Sequence, residues 1–333
     1  MKALVYTGVE SLEYRDAPAP VAAEGQELIR VKASGICGSD MHAYLGHDAR
    51  RPAPLILGHE AAGVVVGGPN DGRRVTVNPL VSCGKCRDCL SGRTNICAER
   101  RIISMPPCEG AFAEMVVMAA DNLVTVPEDV PLEHAALAEP LACGWHGVRQ
   151  GIARSETDVA EMRGLAIGGG AIGLGAALSM RVQGVQDITI VEPQADRRAF
   201  LIEHTGLNVV APDALPEGTQ FDLVVDGVGY AATRKTASAV ARQGGVIVHI
   251  GLGEDLGGLD IRRMTLQEIT FIGVYTYTAE DFRQTAQAIF DGRFGSLSWI
   301  TTRPLSEGAE AFRDIRSGQV AAPKTVLIPP QPS

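Results

Sequence analysis

Past residue 164 the chain repeats one pattern, a short apolar run followed by a helical or loop segment and another apolar run. LAIGG, DITIVEP, FDLVVDGVG and GGVIVHIGL are four such runs, with AIGLGAALSMRVQG and AATRKTASAVARQ among the segments between them. Strands that alternate with crossover segments pair in parallel, because each crossover returns the chain to the same end. The pattern predicts an α/β fold with a doubly wound parallel sheet.

The first run leads into Gly168-Gly169-Gly170-Ala171-Ile172-Gly173, a GxGxxG at a strand-to-helix turn. Such a turn alone is a weak signal. Here a strand precedes it, a helix follows, and Glu192 closes the next strand. Glycines permit the tight turn and the close approach of a pyrophosphate, and the helix N-terminus offers unpaired N–H groups to that anion. Glu192 lies near the ~20-residue spacing of the carboxylate that takes the adenosine ribose hydroxyls. A carboxylate there repels a 2′-phosphate, so NAD is expected over NADP. Arg197 and Arg198 pull weakly the other way, since arginine can serve a phosphate. Arg197, and Gly251 at the end of the fourth run, join the predicted cofactor set with Gly168, Gly170, Ala171, Ile172 and Gly173.

Four of the seven cysteines crowd into SCGKCRDCLSGRTNICAE, at 83, 86, 89 and 97. Disulfides, a redox pair and a metal knot are the choices. Thiols this close cannot all form low-strain disulfides with one another, and C-x2-C-x2-C-x7-C matches no redox pair. Four thiolates in a compact loop suit tetrahedral Zn²⁺ and leave no position for substrate, so the site is predicted to be structural. The surrounding loop from 78 to 110 has little apolar material, and the metal would have to hold it.

Composition bounds the partners. The chain has 333 residues, 45% hydrophobic and 21% charged, with a formal net charge of −9. That is enough for about two domains. No Lys/Arg cluster is dense enough for a nucleic-acid face. The start, MKALVYTGVESLEYR, lacks a signal-peptide apolar run, and the uncharged stretch Gly164–Met180 is too short and too glycine-rich to span a bilayer. A cytoplasmic protein without nucleic-acid or membrane partners is expected. The first third reads as β structure: in ELIRVKAS, Ile29, Val31 and Ala33 alternate with Arg30 and Lys32. LILGHEAAGVVVGG and AFAEMVVMAADNLVTVP are further Val-rich runs, favouring a barrel or sandwich. Helical spacing takes over from Glu133 to Gly151. After Tyr275 come an amphipathic helix, AEDFRQTAQAIFDG, a second short one, the strand KTVLIP, and a PPQPS end expected to fray.

Cys37 in CGSDMH, with His59 and Glu60 in LGHEAAG, offers a thiol, an imidazole and a carboxylate, a set that binds zinc with one position open. CGSDMH, GHE, the four-cysteine loop, EPL at 139–141 and the GxGxxG, in this order, resemble the zinc-dependent medium-chain dehydrogenase/reductase family. The resemblance spans nearly the whole chain and leans toward the sorbitol or polyol dehydrogenase branch. It implies a discontinuous GroES-like β catalytic domain over 1–147, with the structural zinc lobe at 78–110. It further implies a Rossmann domain over 148–275 and a C-terminal segment, 276–333, that completes the catalytic domain.

Residue by residue, the resemblance makes Cys37 and His59 catalytic zinc ligands, with Glu60 a ligand or a carboxylate behind them. Glu139 stands where liver-type alcohol dehydrogenases place a second cysteine ligand. Ser39 and His42 resemble the inner and outer members of a proton relay, and Asp40 the carboxylate that orients the zinc histidine. Lys324 resembles a basic residue that reaches the cofactor phosphate, whereas Gly38 replaces another such residue. The implied cofactors are NAD and two zinc ions per chain, one catalytic and one structural. The implied reaction is oxidation of a secondary alcohol, most simply a polyol or sugar alcohol. A threonine-type amino-alcohol dehydrogenase and a non-catalytic nucleotide-binding protein are the alternatives. Relatives are dimers or tetramers, so a homo-oligomer is expected.

Overall fold

In the computed structural model of the chain, residues 1–330 are described, and the end of the PPQPS tail at 331–333 lies outside the described residues. Six strands form a parallel sheet in the order Asn208–Val210, Asp187–Val191, Arg163–Ile167, Phe221–Asp226, Ala241–His249 and Thr270–Gly273. Counted along the chain this is the order 3-2-1-4-5-6 of a dinucleotide-binding sheet, whose ligand crevice opens where the strand order reverses. The strand Phe221–Asp226 is buried throughout, as expected of a parallel strand covered on both faces.

The first part of the chain is β structure, as its alternation predicts. Gln26–Gly35 lies between Glu60–Val65 and Lys324–Ile328 in a seven-stranded sheet, and Lys2–Gly8 centres a separate three-stranded one. Val326 pairs with Gly35 across the antiparallel ladder, so the last strand completes the sheet that the first third began. The β domain is therefore discontinuous.

Both predicted domain edges move. The boundary at 147/148 falls inside one continuous helix, Ala138–Ile152. That helix shares a hydrophobic cluster with Leu223, Val246 and Val248 of the parallel sheet, so it packs with the nucleotide-binding half from its start. The segment after 276 does not return at once to the β domain. Tyr277, Phe282, Ala286, Phe294 and Trp299 join the same cluster, because the apolar stripe of the Ala279–Phe290 helix is buried against Ala138–Ile152. The return begins at Ile300–Pro304, which pairs with Lys324–Ile328. Among the described residues, no helix is long and apolar enough to cross a membrane.

Candidate active site

Cys37 sits at the N-terminus of the Gly38–Tyr44 helix, where its backbone N–H donates to Asp40 Oδ2 at 3.0 Å. The second Asp40 oxygen accepts from Gly58 N–H at 3.2 Å and lies 3.4 Å from His59 Nδ1. One fully buried carboxylate thus fixes both the loop that carries Cys37 and the ring of His59. Burial would raise the Asp40 pKa, but the charge and hydrogen bond of His59 outweigh it and hold the carboxyl below its usual range. With Nδ1 committed to Asp40, Nε2 is the ring nitrogen left for a ligand.

Donor atoms of Cys37, His59 and Glu60 all lie within 4.8 Å of one another. Glu60 is fully buried, and its Oε1 accepts from Lys324 Nζ at 2.6 Å. Its Oε2 is buried without a hydrogen-bond partner. An orphaned carboxylate oxygen beside a thiol and an imidazole is the donor set that zinc takes. The space for that oxygen exists because residue 35 is glycine: a Cβ there would stand 2.0 Å from Glu60 Oε2. Gly35→Ala is expected to force Glu60 aside, costing about 1–3 kcal/mol from overpacking. Zinc content and thermal melting of the purified variant would show it.

Glu139 is buried near the cluster but is not gathered into it. Its Oε1 accepts from Tyr277 O–H at 2.6 Å. Burial is the main cause that raises its pKa, and the charge of Glu60 adds to it. Cys143, one helical turn further on, is buried and held as a thiol far above its ordinary pKa by desolvation. Lys324 is buried, with Nζ donating to Glu60 Oε1 at 2.6 Å and to Ile36 O at 2.7 Å, so its bonds in this structure are to the cluster. The antiparallel pairing of the last strand with Gln26–Gly35 puts it there.

Ser39 and His42 lie three apart on the Gly38–Tyr44 helix, on one face of it. Ser39 is half-buried and His42 exposed.

The four-cysteine loop closes as predicted in geometry: ligand atoms of Cys83, Cys86, Cys89 and Cys97 lie within 4.8 Å of one another. Cys86 Sγ accepts from Cys89 N–H at 3.5 Å, and Cys97 Sγ from Cys83 N–H at 3.4 Å. Backbone N–H groups of Lys85 and Cys86 lower the Cys83 thiol to about 7, which favours the thiolate that a metal requires. The short strands Leu80–Val81 and Arg101–Ile102 pair at the base of the loop.

At the glycine turn, Gly168 has φ +96°, and a Cβ on Gly173 would come 1.8 Å from Gly168 O. Gly170 caps the Ala171–Val182 helix, and its missing Cβ faces open space, the room a pyrophosphate would need. Glu192 Oε2 accepts from Gly169 N–H at 2.7 Å, so this carboxylate also holds the turn. Arg197 is placed elsewhere than expected: its guanidinium donates to the carbonyls of Val320 and Ala321 and clamps the C-terminal segment. Arg198 is likewise taken up by the carbonyls of Glu192 and Pro193. A Cβ on Gly251 would meet the Val228 backbone at 2.1 Å, so this glycine serves the packing of two loops at the strand ends.

Residues 23–128 match the alcohol dehydrogenase GroES-like domain, and residues 171–291 the zinc-binding dehydrogenase domain. Sorbitol dehydrogenase of Arabidopsis thaliana is 31% identical over 81% of this chain and 79% of its own. The chain belongs to the zinc-dependent medium-chain dehydrogenase/reductase family. A probable D-xylulose reductase A of Arthroderma otae is 28% identical over 95% of this chain and 94% of its own, which puts the protein in the polyol dehydrogenase-like branch. An Escherichia coli CFT073 alcohol dehydrogenase solved with NADH superposes with a TM-score of 0.87 at 25% identity, covering 98% of this chain and 99% of that one. A zinc-binding dehydrogenase of Sinorhizobium meliloti 1021 bound to NADP gives 0.87 at 28%, with 98% and 99% covered. The protein is a nicotinamide-dependent oxidoreductase of this family.

Sequence reasoning missed three partners of the medium-chain dehydrogenase site: Tyr277 on Glu139, Lys324 on Glu60, and Arg51. Arg51 is 2% exposed, and its Nε and Nη1 donate to Ser104 O, Ser39 O and Asp48 Oδ2.

Proposed function

We propose that the enzyme oxidises a secondary alcohol, a polyol or sugar alcohol, to the ketone, with NAD as hydride acceptor. The observation that carries this is the meeting of donor atoms of Cys37, His59 and Glu60 within 4.8 Å, with Glu60 Oε2 buried and unpartnered. Cys37 Sγ, His59 Nε2 and Glu60 Oε2 are the proposed ligands of a catalytic zinc, and the cysteines at 83, 86, 89 and 97 those of a structural one. Bound in the first cluster, zinc would supply the Lewis acidity that lowers the pKa of the substrate hydroxyl.

The chain's own groups do the rest. Asp40 keeps the His59 ring in the ligating tautomer. Lys324 holds Glu60 Oε1 and so leaves Oε2 for the metal, while Tyr277 holds Glu139 nearby. Ser39 Oγ accepts the proton that leaves the alcohol and passes it toward His42 at the solvent end of the helix. NAD, held by the glycine turn and Glu192, would supply the acceptor for the hydride that leaves the substrate carbon. The glycine turn would seat the pyrophosphate, and Glu192 the adenosine ribose, where its charge disfavours a 2′-phosphate. That both nearby arginines are engaged by carbonyls supports NAD further.

Clustered thiols at metal-ligand spacing fit a reducing cytoplasm. The unpaired edge of Thr270–Gly273, next to exposed Leu252, Leu256, Ile261 and Leu266, fits a homo-oligomer.

The test is initial-rate NAD(P)H formation across polyols, sugar-alcohol phosphates, threonine and simple secondary alcohols. A polyol is expected to give the highest kcat/KM, with NAD preferred over NADP. Threonine ahead of every polyol would move the enzyme to the amino-alcohol branch, and silence on all alcohols would contradict the reading.

A further inference from the structure

We propose that Arg51 is a positioning residue that ties the exit of the four-cysteine lobe to the Ser39 helix and the His59 ring. The proposal rests on the roles given to Ser39 and His59 in the alcohol oxidation. Arg51 is 2% exposed, whereas its neighbour Arg50 reaches solvent and pairs with Asp48. From one guanidinium, Nε donates to Ser104 O at 3.0 Å, and Nη1 to Ser39 O at 3.2 Å and Asp48 Oδ2 at 2.8 Å. These acceptors come from three separate segments.

Ser104 is the informative one. It follows the strand Arg101–Ile102 at the base of the lobe, is fully buried, and has φ +66°. A serine in the left-handed region is strained and persists only where its surroundings fix it. Its carbonyl is held by Arg51, and its Oγ lies 3.4 Å from His59 Nδ1, the nitrogen that also faces Asp40. A second Arg51 bond grips the carbonyl of Ser39 in the first turn of the helix that Cys37 caps. The order of the lobe is thereby transmitted to the proton acceptor and to a zinc ligand.

Only the rigid fork of a guanidinium spans three acceptors set this far apart in the chain; a lysine ammonium is a point charge on a flexible stem. A cation buried against one carboxylate is costly unless further acceptors meet it, and here the carbonyls of Ser39 and Ser104 take its Nη1 and Nε.

The test uses Arg51→Ala, Arg51→Lys and the double variant Asp48→Asn/Arg51→Met, which removes the buried cation together with the carboxylate it shares with Arg50. Zinc is kept in the lobe and cobalt placed in the Cys37 cluster. Expected are unchanged NADH binding, a shifted visible cobalt spectrum, and a kcat about 10- to 100-fold lower. KM for the alcohol should stay within about threefold. Lysine should not restore kcat, and added guanidinium ion should partly restore it in Arg51→Ala. Wild-type kcat with an unshifted cobalt spectrum in the double variant would overturn the proposal. Loss of fold in all three variants would overturn it too, by leaving general stability as the role. If the wild type oxidises no alcohol, the cobalt spectrum still decides whether Arg51 sets the cluster's geometry.

Discussion

Replacing Cys97 by serine is expected to cost the chain the proposed structural zinc and to unfold the 78–110 lobe while the parallel sheet stays folded. Cys97 is fully buried and accepts from Cys83 N–H, so its sulfur closes the loop on the inside. Structural zinc is worth on the order of 10–16 kcal/mol in isolated peptides, and a lobe with little apolar material has nothing comparable to hold it once the ion is lost. Proteolysis should cut first within the lobe. Activity should fall with it, because Ser104 leaves the lobe directly for the His59 ring.

Cys37→Ala should abolish turnover without that loss of fold. The helix start it occupies remains held by Asp40 through a backbone N–H that alanine keeps. What would go is the proposed thiolate ligand of a zinc that would acidify the alcohol, an effect worth several kcal/mol. At 1.36 kcal/mol per tenfold in rate, kcat should drop by about 10³ or more. NADH binding, followed by fluorescence, should be unchanged, since the glycine turn and Glu192 lie in the other half of the molecule.

These two variants separate what could be read along the chain from what required the fold. The parallel sheet was legible because its strands are short apolar runs at regular spacing, and GxGxxG marked the turn that Gly173 and Gly168 build. The Cys83–Cys97 knot was legible because all its ligands are local. Cys37, His59 and Glu60 were legible through ordered motifs, although only the pairing of Gln26–Gly35 with Glu60–Val65 brings them together.

The bond of Lys324 to Glu60 was not legible because nothing near it in sequence reveals that Val326 will pair with Gly35, which sets the lysine beside Glu60. Arg197 was misread for the same reason: its partners, Val320 and Ala321, lie more than a hundred residues on. Tyr277 gave no signal beyond being a tyrosine after a strand, and its bond to Glu139 depends on helix Ala279–Phe290 docking against Ala138–Ile152. Domain edges slipped because a single helix, Ala138–Ile152, carries Glu139 at the site and an apolar face that belongs to the parallel sheet.

The most direct measurement is a chelator titration in which zinc bound per chain and NADH formation from a polyol are read on the same samples. Expected is a first ion lost in proportion to activity with circular dichroism unchanged, and a second whose loss unfolds the lobe. Full activity after the first ion has gone would contradict a catalytic zinc held by Cys37, His59 and Glu60.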